Sequence, residues 1–144
     1  MKDLYLIARI AGERVAIAAQ WVESVVKVSD ATPIPSAAPY IAGLYALRSR
    51  VLTLIDCQFH LTGEQQDLRV GQNAVVVEVG GFSYGLLVDE VSDVITVASQ
   101  PRPLQRKLPA GWELIGTAVL EDDAETYLVI DPARLINPAL AHAA

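Results

Sequence analysis

Along most of the chain, apolar residues come in short β-branched runs broken by Gly, Pro, Asn or Asp, which is the pattern of strands and turns. In the first run Leu4, Leu6, Ala8 and Ile10 alternate with Tyr5, Ile7 and Arg9, giving one apolar and one mixed face. Comparable runs are Val15 to Ala19, Val22 to Val28, Val51 to Ile55, Ala74 to Val79, Tyr84 to Val88, Val91 to Val97, Ile115 to Leu120 and Thr126 to Ile130. About nine or ten strands at this spacing predict an all-β barrel or sandwich. Helix is expected only in short pieces after Asp56 and Asp131, each at an N-cap position, with Pro132 where a missing N–H has no partner to lose. The alanine-rich end from Pro138 to Ala144 either extends the second helix or frays.

The pattern also repeats. Gly12 to Val26 lies over Gly81 to Ile95 without a gap at an offset of 69 residues, so that Ile17 meets Leu86, Val22 meets Val91 and Val25 meets Val94. A proline-bearing stretch follows each copy, with Pro33, Pro35 and Pro39 in one and Pro101, Pro103 and Pro109 in the other. Ile41 to Asp56 then matches Leu114 to Asp131, each running from a Gly through a turn to a strand that ends in Asp. Two similar β halves are implied, joined by the polar connection Thr62 to Gln72.

Composition narrows the class. At 144 residues, 52% apolar and 19% charged, the chain holds one domain's worth of material that demands burial, and disorder is excluded. No apolar run approaches the ~20 residues of a membrane span, and the N-terminus lacks the features of a secretory signal. The lone Cys57 suits a reducing compartment, so a cytoplasmic location is expected. A net charge of -6 opposes binding to a phosphate backbone.

No catalytic signature assembles: GxSxG, GxxxxGK[ST], HExxH and paired CxxC motifs are all absent. Cys57 and His60 are three residues apart, but zinc normally takes four ligands and the other histidine is His142 in the tail. Cys57 is therefore read as structural, and neither a metal nor a cofactor is expected. In the acidic group Asp89, Glu90 and Asp93, strand alternation sends the two aspartates to the face opposite Glu90, as at a solvated strand end. Glu121, Asp122 and Asp123 read as a hairpin tip. Arg48 and Arg50 flank Ser49 between Leu44, Tyr45 and Leu47 and the next strand, an apolar hairpin with arginine at its tip that suits protein docking.

Gly85 to Ile95 (GLLVDEVSDVI), Pro101 and Pro103, IGTAVL and TYLVIDPARLI resemble the second half of CheW-like domains, and Ile41 to Asp56 occupies the place of that family's Gly-x-x-Asn-Leu-Arg-Gly hairpin and following strand. The resemblance covers about residues 4 to 136. It implies one domain of two pseudo-repeated five-stranded SH3-like barrels, the first at about 12–70 and the second at about 74–136, with strand 4–10 able to join the second and a tail at 137–144. It further implies a non-catalytic adaptor between a CheA-type histidine kinase and methyl-accepting chemoreceptors, cytoplasmic but recruited to membrane-associated arrays. By resemblance the kinase regulatory domain meets Ile41, Gly43, Leu44, Arg48 and Val51, and the receptor tip lies in the inter-barrel groove near Val22, Gly85, Val91 and Val94. The chain departs from the family at Ser24 for Glu, Ala46 for Asn, Ser49 for Gly and Thr53 for Pro, which fits a divergent paralogue serving another chemosensory output such as surface motility. Taken without the resemblance, the residues leave open a different β-barrel binding module, or a small-molecule enzyme or sensor using Asp89 or Cys57 in the groove.

Overall fold

Ala11 and Gly12, at φ 50° and 82°, turn the chain between β1 (Asp3–Ile10) and β2 (Glu13–Ala18). Positive φ at both central residues is what a tight two-residue hairpin of native twist needs. Gly80 and Gly81, at 61° and 84°, make the same turn between β6 (Gln72–Val79) and β7 (Phe82–Val88). The other elements of this computed structural model are β3 (Val22–Val28), β4 (Ile41–Leu47), β5 (Arg50–Asp56), α1 (Cys57–Thr62), β8 (Glu90–Val97), β9 (Gly116–Asp122), β10 (Glu125–Ile130) and α2 (Pro132–Ile136). The structure describes residues 3–29, 31–35, 38–65, 68–97, 101–103, 112, 116–122 and 125–137. Pro109, Leu114, Ile115, Asp123, His142 and the tail from Pro138 lie outside them.

Two five-stranded sheets result, ordered β8-β1-β2-β10-β9 and β3-β6-β7-β5-β4. The first, built from the chain's two ends, is called here the terminal barrel, and the second the mid-chain barrel. They are one topology used twice. Leu6 pairs with Ile17 and Val94, and Val75, 69 residues on, pairs with Leu86 and Val25, the residues offset by the same 69. The parallel pairs agree as well, Val15 with Leu128 and Tyr84 with Thr53.

This pairing corrects the consecutive division expected at about 70–74. The 3-10 turn Ala19–Trp21 carries the chain out of the terminal barrel after β2, and β8 returns to it after β7. Residues 13–18 therefore belong with the chain ends, while β6 and β7 belong with β3 to β5. Strand 4–10 does pair with the later half, through β8.

Each sheet curls closed in the same way. The segment after β3 crosses to the far edge, where Thr32 and Leu44 exchange backbone hydrogen bonds of 2.8 and 2.9 Å. Arg102 and Val119 close the terminal barrel with two of 2.8 Å.

Both faces of the inner strands are buried, which explains why their sequences read as apolar runs and not as clean alternation. Leu6, Ala8 and Ile10 join Val75, Val77, Leu86 and Val88 in a core shared by the two barrels. Tyr5 and Ile7 point the other way, into the terminal barrel with Leu120 and Tyr127. Leu54, Ala74, Leu87 and Val28 fill the mid-chain barrel. Each fully buried Leu, Ile or Val contributes about 1.5–3 kcal/mol. Both helix caps form as expected: Asp56 Oδ1 accepts from the Phe59 N–H at 3.1 Å and Asp131 Oδ1 from the Ala133 N–H at 3.0 Å.

Candidate protein-docking faces

The β4–β5 hairpin carries all five residues expected at the kinase contact, but they do different things. Val51 is 56% exposed and Arg48 stands exposed in the turn, while Ile41 and Leu44 are half-buried. Gly43 is buried at a bulge with φ 149°, and a Cβ there would stand 2.8 Å from the Thr32 carbonyl oxygen. Its lack of a side chain lets the closing segment reach β4. The left-handed turn residue is Arg48, at φ 57°, and not Ser49, where the family's glycine falls. Arg50 points away from Val51: its guanidinium pairs with Glu23 at 2.7 Å and donates to Ser83 Oγ at 3.3 Å. Among the described residues no carboxylate pairs with Arg48.

Three of the four receptor candidates turn toward the core shared by the two barrels. Residues directly opposite in an antiparallel pair project to the same side. Val22 faces Val77, Val91 faces Ala8 and Val94 faces Leu6, and all three partners belong to the shared inter-barrel core. Val22 and Val91 are half-buried against that core, and Val94, on the outer strand, emerges to 49% exposure. Gly85 does not join them. It pairs with Val76, and a Cβ on it would meet Leu54 Cδ2 at 2.9 Å and Ala74 Cβ at 3.5 Å, inside the mid-chain barrel.

Sequence reasoning did not single out Val25, Leu4 and Phe82. Val25 is 38% exposed at the position equivalent to Val94, and Leu4 is exposed on the face of Leu6. Phe82, 69% exposed, opens β7 two residues before Tyr84 and four before Leu86. The Phe82-Tyr84-Leu86 alternation carried the signal, since it sets an aromatic at the open end of an apolar face.

The remaining candidate groups have ordinary partners. A register shift between Ile7 and Ala8 interrupts alternation along β8, so Asp93 lies opposite Ile7 and Val91 opposite Ala8. Asp89 precedes the strand, half-buried, and accepts from the Gly12 N–H at 3.1 Å; Glu90 pairs with Arg9 at 3.5 Å. Glu121 lies in β9 and pairs with Arg102. Cys57 is fully buried, its thiol pKa pushed up by desolvation and then by the charges of Asp56 and Asp89, so a reactive thiolate is disfavoured. His60 Nε2 lies 2.7 Å from the Leu135 carbonyl. Among the described residues no group of His, Cys, Asp and Glu is arranged to hold a metal ion, and no helix is long and apolar enough to cross a membrane.

The family model for the CheW-like domain matches residues 4–139. The chain belongs to the CheW-like family. It is 32% identical over 123 residues to the chemotaxis protein CheW of Treponema pallidum, covering 81% of this chain and 71% of that one. With the chemotaxis protein CheW of Bacillus subtilis it shares 29% identity over 115 residues, 76% of this chain and 74% of the relative. The crystal structure of the scaffolding protein TtCheW from Thermoanaerobacter tengcongensis has the same fold, with a TM-score of 0.79 at 22% identity, covering 94% of this chain and 88% of that one. The two sheets of this CheW-like domain are thus the family's paired SH3-like barrels.

Proposed function

We propose that this CheW-like chain is a non-catalytic adaptor that links chemoreceptors to a CheA-type histidine kinase in cytoplasmic signalling arrays. The observation that carries this reading is the pair of distinct exposed faces. One is the β4–β5 hairpin, with Arg48 unpaired among the described residues beside exposed Val51. The other is the rim of the inter-barrel core, toward which Val22, Val91 and Val94 are all turned.

The kinase regulatory domain docks on the first through Leu44, Arg48 and Val51, with Ile41 at the hairpin base and Gly43 holding the hairpin against the closing segment. An arginine fork there takes a partner carboxylate while its stem covers apolar surface. The receptor tip, a helical hairpin, lays apolar side chains into the groove near Val22, Val91 and Val94, in the helix-in-groove mode. Gly85 acts indirectly, through the packing of β7 on Leu54. Single contacts of this size are modest, and repetition across an array multiplies them.

Isothermal titration of the purified chain with a kinase regulatory domain and with a receptor signalling fragment tests the reading. Saturable binding to both is expected; binding to neither would remove the adaptor function.

A further inference from the structure

The two barrels share one topology, so each is a control for what the other needs in order to fold. At the open end of the mid-chain barrel the large apolar residues left exposed on the side of the shared core are Val51 and Phe82. They lie two positions before Thr53 and Tyr84, which pair in the parallel β5–β7 register. The equivalent positions in the terminal barrel, 75 and 69 residues away, hold Thr126 and Glu13, both exposed. The same backbone thus closes with polar residues at one end and with a valine and a phenylalanine at the other. Folding does not ask for the apolar pair.

We infer that Phe82, with Val51, is the apolar anchor for the kinase regulatory domain, and that the partner offers it an apolar pocket rimmed by a carboxylate that Arg48 meets. This deepens the proposed function and rests on its assignment of the β4–β5 hairpin to the kinase. Two observations choose that occupant. The apolar pair is continuous with the hairpin, since Val51 lies opposite Ala46 and only three residues from Arg48. A cation is at hand as well: Arg50 is taken up by Glu23 on the other side of the sheet, which leaves Arg48 as the hairpin-tip cation without an ion pair among the described residues, on a chain of net charge -6. Aromatic side chains in such positions carry a large share of binding energy when a pocket covers them.

The test installs the terminal barrel's own residues, Phe82→Glu and Val51→Thr, in the full chain. It measures affinity for the kinase regulatory domain and for a receptor signalling fragment by titration, with thermal unfolding as the check on folding. At exposed positions the melting temperature should hold, kinase affinity should fall roughly tenfold or more, and receptor affinity should stay within about twofold. Kinase affinity unchanged in the variant, with the wild type binding normally, overturns the anchor and leaves the adaptor reading standing. Equal loss for both partners, or a wild-type self-association that the variant abolishes, also overturns it, because the face would then serve the receptor or a second copy. A wild type that binds no kinase domain overturns the adaptor reading and the anchor together.

Discussion

His60 Nε2 and the Leu135 carbonyl oxygen, 2.7 Å apart, tie the helix that follows β5 of the mid-chain barrel to the helix that follows β10 of the terminal barrel. The imidazole is half-buried with its ring centroid 4.9 Å from that of Tyr40. In its neutral form it donates Nε2–H to the carbonyl. Desolvation lowers its pKa below the ordinary 6.5, against smaller raising effects from the Leu135 carbonyl and the Asp56 carboxylate. A histidine whose folded pKa is depressed contributes stability that is fully present above its unfolded pKa and is lost as pH falls below it toward the folded value. Unfolding free energy from urea titrations should therefore decline as pH falls below 6.5, and His60→Gln should flatten the decline. An identical slope in the variant would assign the decline to other groups.

Gly43→Ala should destabilise the chain by about 1–3 kcal/mol, because φ 149° and a carbonyl oxygen 2.8 Å from the new Cβ act together. Differential scanning calorimetry reads this directly. Any loss of kinase binding in that variant should track the unfolded fraction, in contrast to Arg48→Glu, which should lose binding at an unchanged melting temperature.

Gly85→Ala and Val94→Ser separate packing from contact in the same way. The first places a methyl group 2.9 Å from Leu54 Cδ2, the end of a side chain fully buried in the mid-chain core, so a loss of about 1–3 kcal/mol is expected. The second changes a half-exposed position and should leave stability within about 0.5 kcal/mol while weakening receptor binding. Thermal melts paired with titrations of the receptor fragment distinguish the two.

Ala11→Gly should stabilise the β1–β2 hairpin. Ala11 carries φ 50°, whereas the equivalent turn of the mid-chain barrel has Gly80. Relief of left-handed strain outweighs the added freedom of the unfolded chain, for a net gain of up to about 1 kcal/mol. A raised urea midpoint at constant slope is the expected result.

What could be read from the sequence was what short-range pattern fixes. The strands, the two Asp caps and the 69-residue repeat all follow from hydrophobic period and local chemistry, and the structure has each of them. The exchange of strands between barrels was hidden, because it turns on the 3-10 segment Ala19–Trp21, whose residues carry no turn signal. The roles of Gly43 and Gly85 were hidden for a related reason. Each is set by a neighbour distant in sequence, Thr32 or Leu54, so nothing local to either glycine signals the clearance it provides. Phe82 was legible in the alternation of β7, but its meaning required the twin barrel, with Glu13 at the same place, as a reference.

The proposed function requires two separate faces of one CheW-like chain to hold two partners at once. Sedimentation velocity on the chain mixed with the kinase regulatory domain and a receptor signalling fragment tests it most directly. A ternary species is predicted for the wild type, with Arg48→Glu removing only the kinase and Val94→Asp only the receptor. Mutually exclusive binding, or one substitution releasing both partners, would contradict it.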